Sequence, residues 1–291
     1  MIYKNTLSVV KKIALATSFF VITACNGAVA DKTQWRTLDL NNTVLLTLPH
    51  GKVVLELAPQ FSPHHVEKFS KLVKNNFYDG NKFYRVIDGF VAQAGPKEGS
   101  EQDTSIKPIE IESQWITKSD FSYAAVQNKD LFAPKTGFKD SFAIGVDPQK
   151  KLAWLTHCPG VLAMARENTA DSATSHFYVV IGQAPRYLDR IMTIFGRVVY
   201  GMEHMQAIQR TAVIEGEYAV DSRDYTPIIS MQLMANVPKA QQILIEVEDT
   251  NTDIFTERLK KRRARKNDFF YKKPPPVLDV CQVPIRSRLV K

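Results

Sequence analysis

Cysteine is scarce in this chain, with three in 291 residues. None falls in a C-x-x-C pair, which removes the dithiol redox motif and the four-ligand zinc patterns. Neither a P-loop nor a dinucleotide fingerprint occurs, so nucleotide chemistry has no cradle. Ser175-His176 lacks a nucleophile-elbow context and an identifiable acidic partner, and a hydrolase triad is therefore not supported. His64 and His65 are adjacent, point to different faces and have no third ligand at a metal-binding spacing. The reading calls for no metal and no cofactor.

Acidic residues are nearly missing from the C-terminal end. Residues 256–291 hold 12 Lys and Arg against 3 acids, whereas residues 31–255 hold 23 against 27. The net charge of +8 is therefore local in origin, concentrated around KKRRARK. Long apolar runs are also lacking: IALATSFFVITA (13–24) is shorter than the about 20 residues a membrane-spanning helix needs. Preceded by Lys4, Lys11 and Lys12, and followed by Ala28-Val29-Ala30, it has the layout of a secretory signal peptide over residues 1–30. A competing reading takes ITAC (22–25) as a lipobox, with Cys25 the lipidated first residue of an outer-membrane lipoprotein. Both readings place the mature chain in the periplasm or outside. There Cys158 and Cys281 are an even pair suited to a disulfide, with two buried thiols as the alternative.

FYRVIDGFVAQAG (83–95) carries Phe83, Val86, Phe90 and Val91 around one charge, Arg85, with Asp88-Gly89 marking a turn between two short strands. A guanidinium has five fixed donors and is not neutralised by burial. Beside an apolar patch it suits a ligand that is apolar with a polar backbone, such as a proline-containing peptide.

Together with GVLAMARENTADSATSHFYVVIGQAPRYLDR (160–190) and FGRVVYGM (195–202), this stretch resembles the cyclophilin-type peptidyl-prolyl isomerases. The resemblance implies that Arg85 is catalytic and that Phe90, Val91 and Gln93 line the proline pocket. It places Ala165, Tyr178, Tyr187 and Leu188 on further walls. Four positions depart from the family pattern: Tyr84 stands for a His, His176 for a Gln, Tyr178 for a Phe and Met192 for a second His. These count among the substrate-contacting positions and predict a more polar pocket with altered activity.

Residues 43–58 read as two strands joined at Pro49–Gly51, and Ser62-Pro63 opens a helix with Val66, Phe69, Leu72 and Val73 in register. Further strands around 83–94, 161–165, 177–182, 194–200 and 227–236, with a helix at 201–210, add up to a mainly β fold. The expected architecture is a closed antiparallel cyclophilin-like β-barrel capped by helices, over residues 31–237. Residues 96–159 are longer than compact members carry. Their Trp115, Phe121, Tyr123, Phe132, Phe138, Phe142 and Trp154 mark an ordered insertion packed on the barrel, with 130–148 bordering the groove.

Residues 238–291 form an extension outside the resemblance. A basic helix is expected from Asp253, capped by Thr250 or Asn251, with Ile254, Phe255 and Leu259 on the face docked to the barrel. Pro274 to Pro276 would then lead Cys281 back to the core.

The functional expectation is a monomeric peptidyl-prolyl cis-trans isomerase acting on X-Pro bonds of exported or unfolded proteins. Two other classes stay open at this stage. One is a prolyl-peptide-binding chaperone module without turnover. The other is an envelope scaffold that meets anionic lipid through the basic tail; nucleic-acid partners fall away for an exported chain.

Overall fold

Two strands that alternate inward residues begin the central sheet. In Thr43–Leu48 and Gly51–Leu57 the residues Val44, Leu46, Leu48, Val53, Leu55 and Leu57 all enter one core. The computed structural model describes residues 34–211, 213–214, 217–218 and 225–290. Residues 1–30, expected to be a signal peptide or to carry a lipidated Cys25, lie outside them.

Eight strands make that sheet, in the order Ser230–Leu233, Thr43–Leu48, Gly51–Leu57, Ile194–Tyr200, Val161–Met164, Phe177–Val180, Val91–Gly95, Lys82–Val86. Every neighbouring pair is antiparallel. Closure departs from the expected barrel. The two edge strands do not form a ladder; the sheet curls until its edges are stitched by one bridge, Lys82 with Pro227, and by N–H donation from Phe83 to the Thr226 carbonyl at 3.0 Å. Gly80 and Ile228 add N–H bonds across this seam, to the Ile228 and Asn81 carbonyls at 2.8 Å each, and all of them fall before the edge strand Ser230–Leu233 begins.

The helix Pro63–Lys74 plugs one end of the curled sheet with Val66, Phe69, Leu72 and Val73. Its N-terminus is capped from a distance. Ser62 donates its hydroxyl to the Ile194 carbonyl instead of capping, and Glu112 accepts the His64 and His65 amide N–H groups at 3.2 and 2.9 Å. A carboxylate there complements the helix dipole. Glu112 also accepts from the fully buried His65 ring at 2.7 Å, while His65 Nε2 finds no partner.

Burial is the largest influence on His65 and lowers its pKa from 6.5, against the raising effect of Glu112. The folded chain thus holds His65 neutral where the unfolded chain would begin to protonate it. Stability from this group is complete above about pH 6.5 and is lost as pH falls from there toward the lower folded value. His65→Asn, which keeps a donor for Glu112 but cannot titrate, should flatten the fall in Tm between pH 7.5 and 5; an unchanged slope would rule His65 out as its source.

Residues within 96–159 form a second sheet of five antiparallel strands, ordered Trp115–Ile116, Leu152–Leu155, Phe142–Asp147, Lys135–Lys139, Ala124–Asn128. Its two faces have separate partners. Phe142, Ile144 and Val146 join Val91, Ala163, Tyr178 and Val180 of the central sheet, while Phe138 and Ala143 join the C-terminal segment. Period-two alternation along one strand divides the two interfaces.

The helix Asp253–Ala264 packs on this insertion sheet, where the sequence reading expected the barrel. Phe255 and Leu259 sit with Val126 and Phe138, and Ile254 is turned outward at 44% exposure. The cap is Thr252, whose hydroxyl accepts from the Phe255 N–H, one or two residues later than expected. The arginines of the basic run are largely engaged. Arg262 donates to the Gln282 carbonyl, Arg263 to that of Val126, and Arg265 to those of Pro275 and Val277. A disulfide joins Cys158 to Cys281, closing a span of 123 residues. Finally, Ile245–Glu248 pairs between Trp35–Thr37 and Ser287–Leu289 in a three-stranded sheet.

Candidate active site

The hairpin of Lys82–Val86 and Val91–Gly95 turns through Asp88 and Gly89, where Gly89 takes φ +66°. Its register slips by one residue: Phe83 faces Ala94 and Arg85 faces Gln93, leaving Tyr84 as the extra residue of a β-bulge. In a regular strand Tyr84 and Arg85 would point to opposite faces. Here both reach the same side chain. Arg85 donates to Gln93 Oε1 at 3.2 Å, and Gln93 Nε2 donates to the Tyr84 hydroxyl at 2.6 Å. Phe83, meanwhile, is fully buried in the central core.

The chain of bonds continues to a carboxylate. Tyr84 meets His176 Nδ1 at 2.8 Å, and His176 Nε2 meets Asp103 Oδ1 at 2.8 Å. Gly95 makes room for this, since a Cβ there would run into the His176 ring. Burial is the main cause that pushes the Tyr84 phenol up to about 12, so it stays a protonated donor at neutral pH. Asp103 comes from the single helical turn Glu101–Thr104, where Ser100 caps the Asp103 N–H. The sequence reading did not single out Asp103. Its one signal was S-x-x-D, which reads as a helix start and nothing more.

Beside the arginine lies an apolar wall. Phe90, Ala165 and Met192 are half-buried members of one cluster with Val91 and Tyr178, which are covered almost completely at 2% and 4% exposure. The insertion sheet supplies that cover, so Val91 and Tyr178 shape the wall from behind. Tyr187 and Leu188 sit on the turn Arg186–Leu188, with Tyr187 65% exposed and Leu188 half-buried outside that cluster. Phe90 and Tyr187 border an open cavity of about 680 Å³, shared with Leu131, Phe132 and Gln183. Part of the 130–148 segment therefore borders this cavity, whose lining does not include Arg85, Gln93, Ala165, Leu188 or Met192.

A second buried chain starts at Tyr178, whose hydroxyl meets His157 Nε2 at 3.0 Å. Asp189 Oδ1 takes the other His157 nitrogen at 3.2 Å and its amide N–H at 2.8 Å. Arg186 then bridges Asp189 at 2.6 Å and Asp130 at 3.2 Å. Burial raises the Tyr178 phenol far above its ordinary value, which keeps it a donor. Tyr178→Phe should leave a buried ring nitrogen of His157 unsatisfied and lower unfolding free energy by about 1–3 kcal/mol in urea titrations. No change would mean that this bond is not formed in solution.

Three of the four departures from the family pattern thus have partners. Tyr84 and His176 are bonded to each other, and Tyr178 is bonded to His157. Met192 fills apolar space.

Residues 43–232 match the family described as cyclophilin type peptidyl-prolyl cis-trans isomerase/CLD. The chain belongs to this family. It is 30% identical over 202 residues to a probable peptidyl-prolyl cis-trans isomerase of Brucella suis, covering 69% of this chain and 87% of that one. It is 28% identical over 214 residues to a peptidyl-prolyl cis-trans isomerase of Acinetobacter baylyi, covering 73% and 88%. In fold it is similar to the crystal structure of cyclophilin AquaCyp293 from Hirschia baltica, with TM-score 0.65, 23% identity, and coverage of 88% and 93%. That solved structure spans more of the chain than the family match does, and so includes parts of the insertion and the extension. The protein is a cyclophilin-type peptidyl-prolyl cis-trans isomerase. Among its described residues no group of three or more His, Cys, Asp or Glu side chains is placed to hold a metal.

Proposed function

We propose that this isomerase acts on X-Pro bonds of exported or unfolded polypeptides in the periplasm, with Arg85 as its catalytic group. The observation that carries the reading is the bulged hairpin. It holds the Arg85 guanidinium against Gln93 at the rim of an apolar wall. The signal-like leader and the Cys158–Cys281 disulfide support the compartment.

The reaction needs little chemistry. Rotation about an X-Pro amide breaks no σ bond, and its barrier of about 18–20 kcal/mol comes from conjugation. In the twisted state conjugation is lost and the nitrogen lone pair becomes an acceptor. A fixed guanidinium donor stabilises that state more than the planar ground state, which is the requirement for catalysis. Phe90, Ala165, Met192 and Leu188 grip the pyrrolidine ring, backed by Val91 and Tyr178, and exposed Tyr187 meets the flanking peptide. Both ends of the Gln93 amide are engaged, by Arg85 and by Tyr84. Gln93 is therefore assigned to aiming the arginine rather than to holding peptide.

The test is isomerisation of a panel of X-Pro peptides by the natural chain and by Arg85→Ala. Folded protein that binds the peptides without accelerating them would overturn the proposal.

A further inference from the structure

We infer that Asp103 is a positioning residue for the isomerase, acting on Arg85 through His176, Tyr84 and Gln93. The inference rests on Arg85 being the catalytic group.

Each hydrogen bond in this chain has a fixed direction. A carboxylate only accepts. Asp103 therefore requires His176 to present Nε2–H, which leaves Nδ1 as an acceptor. Tyr84 must then donate its hydroxyl to Nδ1, and its oxygen is left to accept. Gln93 meets that oxygen with its NH₂ end, 2.6 Å away, and so turns Oε1 toward Arg85. Four side chains, Arg85, Gln93, Tyr84 and His176, thus line up as donors toward one carboxylate. Reverse the sense of the chain and the Gln93 NH₂ group faces the guanidinium, donor against donor. Nothing in the three middle residues selects a direction, because each can donate and accept. Asp103 selects it.

The geometry favours a positioning role over simple packing. Asp103 is anchored by its own turn, with Oδ2 accepting the Gly99 N–H at 2.9 Å, so Oδ1 is held toward the imidazole. The His176 and Asp103 side chains keep 15% and 18% exposure, so the pair is not sealed into the core.

Asp103→Asn is the test, because it preserves shape and removes the acceptor-only end. Four readouts decide it: kcat/KM for an X-Pro peptide, the Tm, the ¹⁵N shifts of the His176 ring, and the double variant with Arg85→Ala. The expected result is a fall of about tenfold in kcat/KM, the size of one misaligned bond to a charged group, with Tm nearly unchanged. His176 should shift from Nε2–H toward Nδ1–H. The double variant should be no slower than Arg85→Ala alone, since both act through one group. Full activity in Asp103→Asn while Arg85→Ala is impaired would overturn this inference alone. So would a loss that adds to that of Arg85→Ala, or one without a tautomer change. Full activity in Arg85→Ala would instead overturn the assignment of Arg85, and this inference with it.

Discussion

Arg85→Ala should lower kcat/KM for X-Pro isomerisation by about a hundredfold or more, with most of the loss in kcat. The magnitude follows from removing a charge-assisted donor that is fully used only in the twisted amide; about 2.7 kcal/mol of lost transition-state stabilisation is a hundredfold. Stability should move little, by roughly 1 kcal/mol or less, because Arg85 is half-buried at an edge strand and its neighbour Gln93 keeps its bond to Tyr84. Arg85→Lys should recover only part of the rate. It restores charge but not the planar fork that both meets Gln93 and points at substrate. Stopped-flow isomerisation beside thermal melts of the same samples separates the two effects. A variant that loses activity and melts early in equal measure would show that Arg85 is structural.

The second large effect concerns the disulfide. Replacing Cys158 and Cys281 together with serine should lower unfolding free energy by about 3–5 kcal/mol, and the Tm by on the order of 10 °C. The chain-entropy estimate applies because the bond spans 123 residues of sequence. The loss should be felt locally too. Leu278, Val280 and Val283 pack with Cys158, Phe138 and Leu259, so releasing Cys281 loosens the seam between the insertion sheet and the C-terminal segment. A dithiol reductant should lower the melting temperature of the natural chain and leave the double variant unaffected. Equal melting of oxidised and reduced protein would show that the packing alone holds the tail.

The site was legible in the sequence wherever it depends on residues close together along the chain. The 83–95 block placed an arginine, a turn and an apolar strand within 13 residues, and these form one hairpin. The sequence left Cys158 and Cys281 open between a disulfide and two buried thiols, and the folded chain joins them. The residues that were missed have their meaning only across long distances. Asp103 meets His176 across 73 positions, and Glu112 caps a helix 47 or 48 positions upstream. His157, Asp189, Arg186 and Asp130 looked like unrelated loop residues until folding buried them together. The partners of the basic run at 260–266 were hidden for a related reason. Its arginines are matched by backbone carbonyls, and carbonyls carry no sequence signature.

The sequence by itself determined the family and the mainly β fold. Those follow from local pattern: period-two alternation, turn residues and a motif held in order. Only the tertiary structure decided how the arginine is aimed. A one-residue slip in register brings Tyr84 and Arg85 to the same face of the hairpin, and such a slip depends on the partner strand rather than on the residues that slip. It also decided that the insertion backs the proline wall on one face and receives the basic helix on the other. Alternation fixes that a strand has two faces. What each face meets is settled by which surfaces are left to bury once the whole chain has closed.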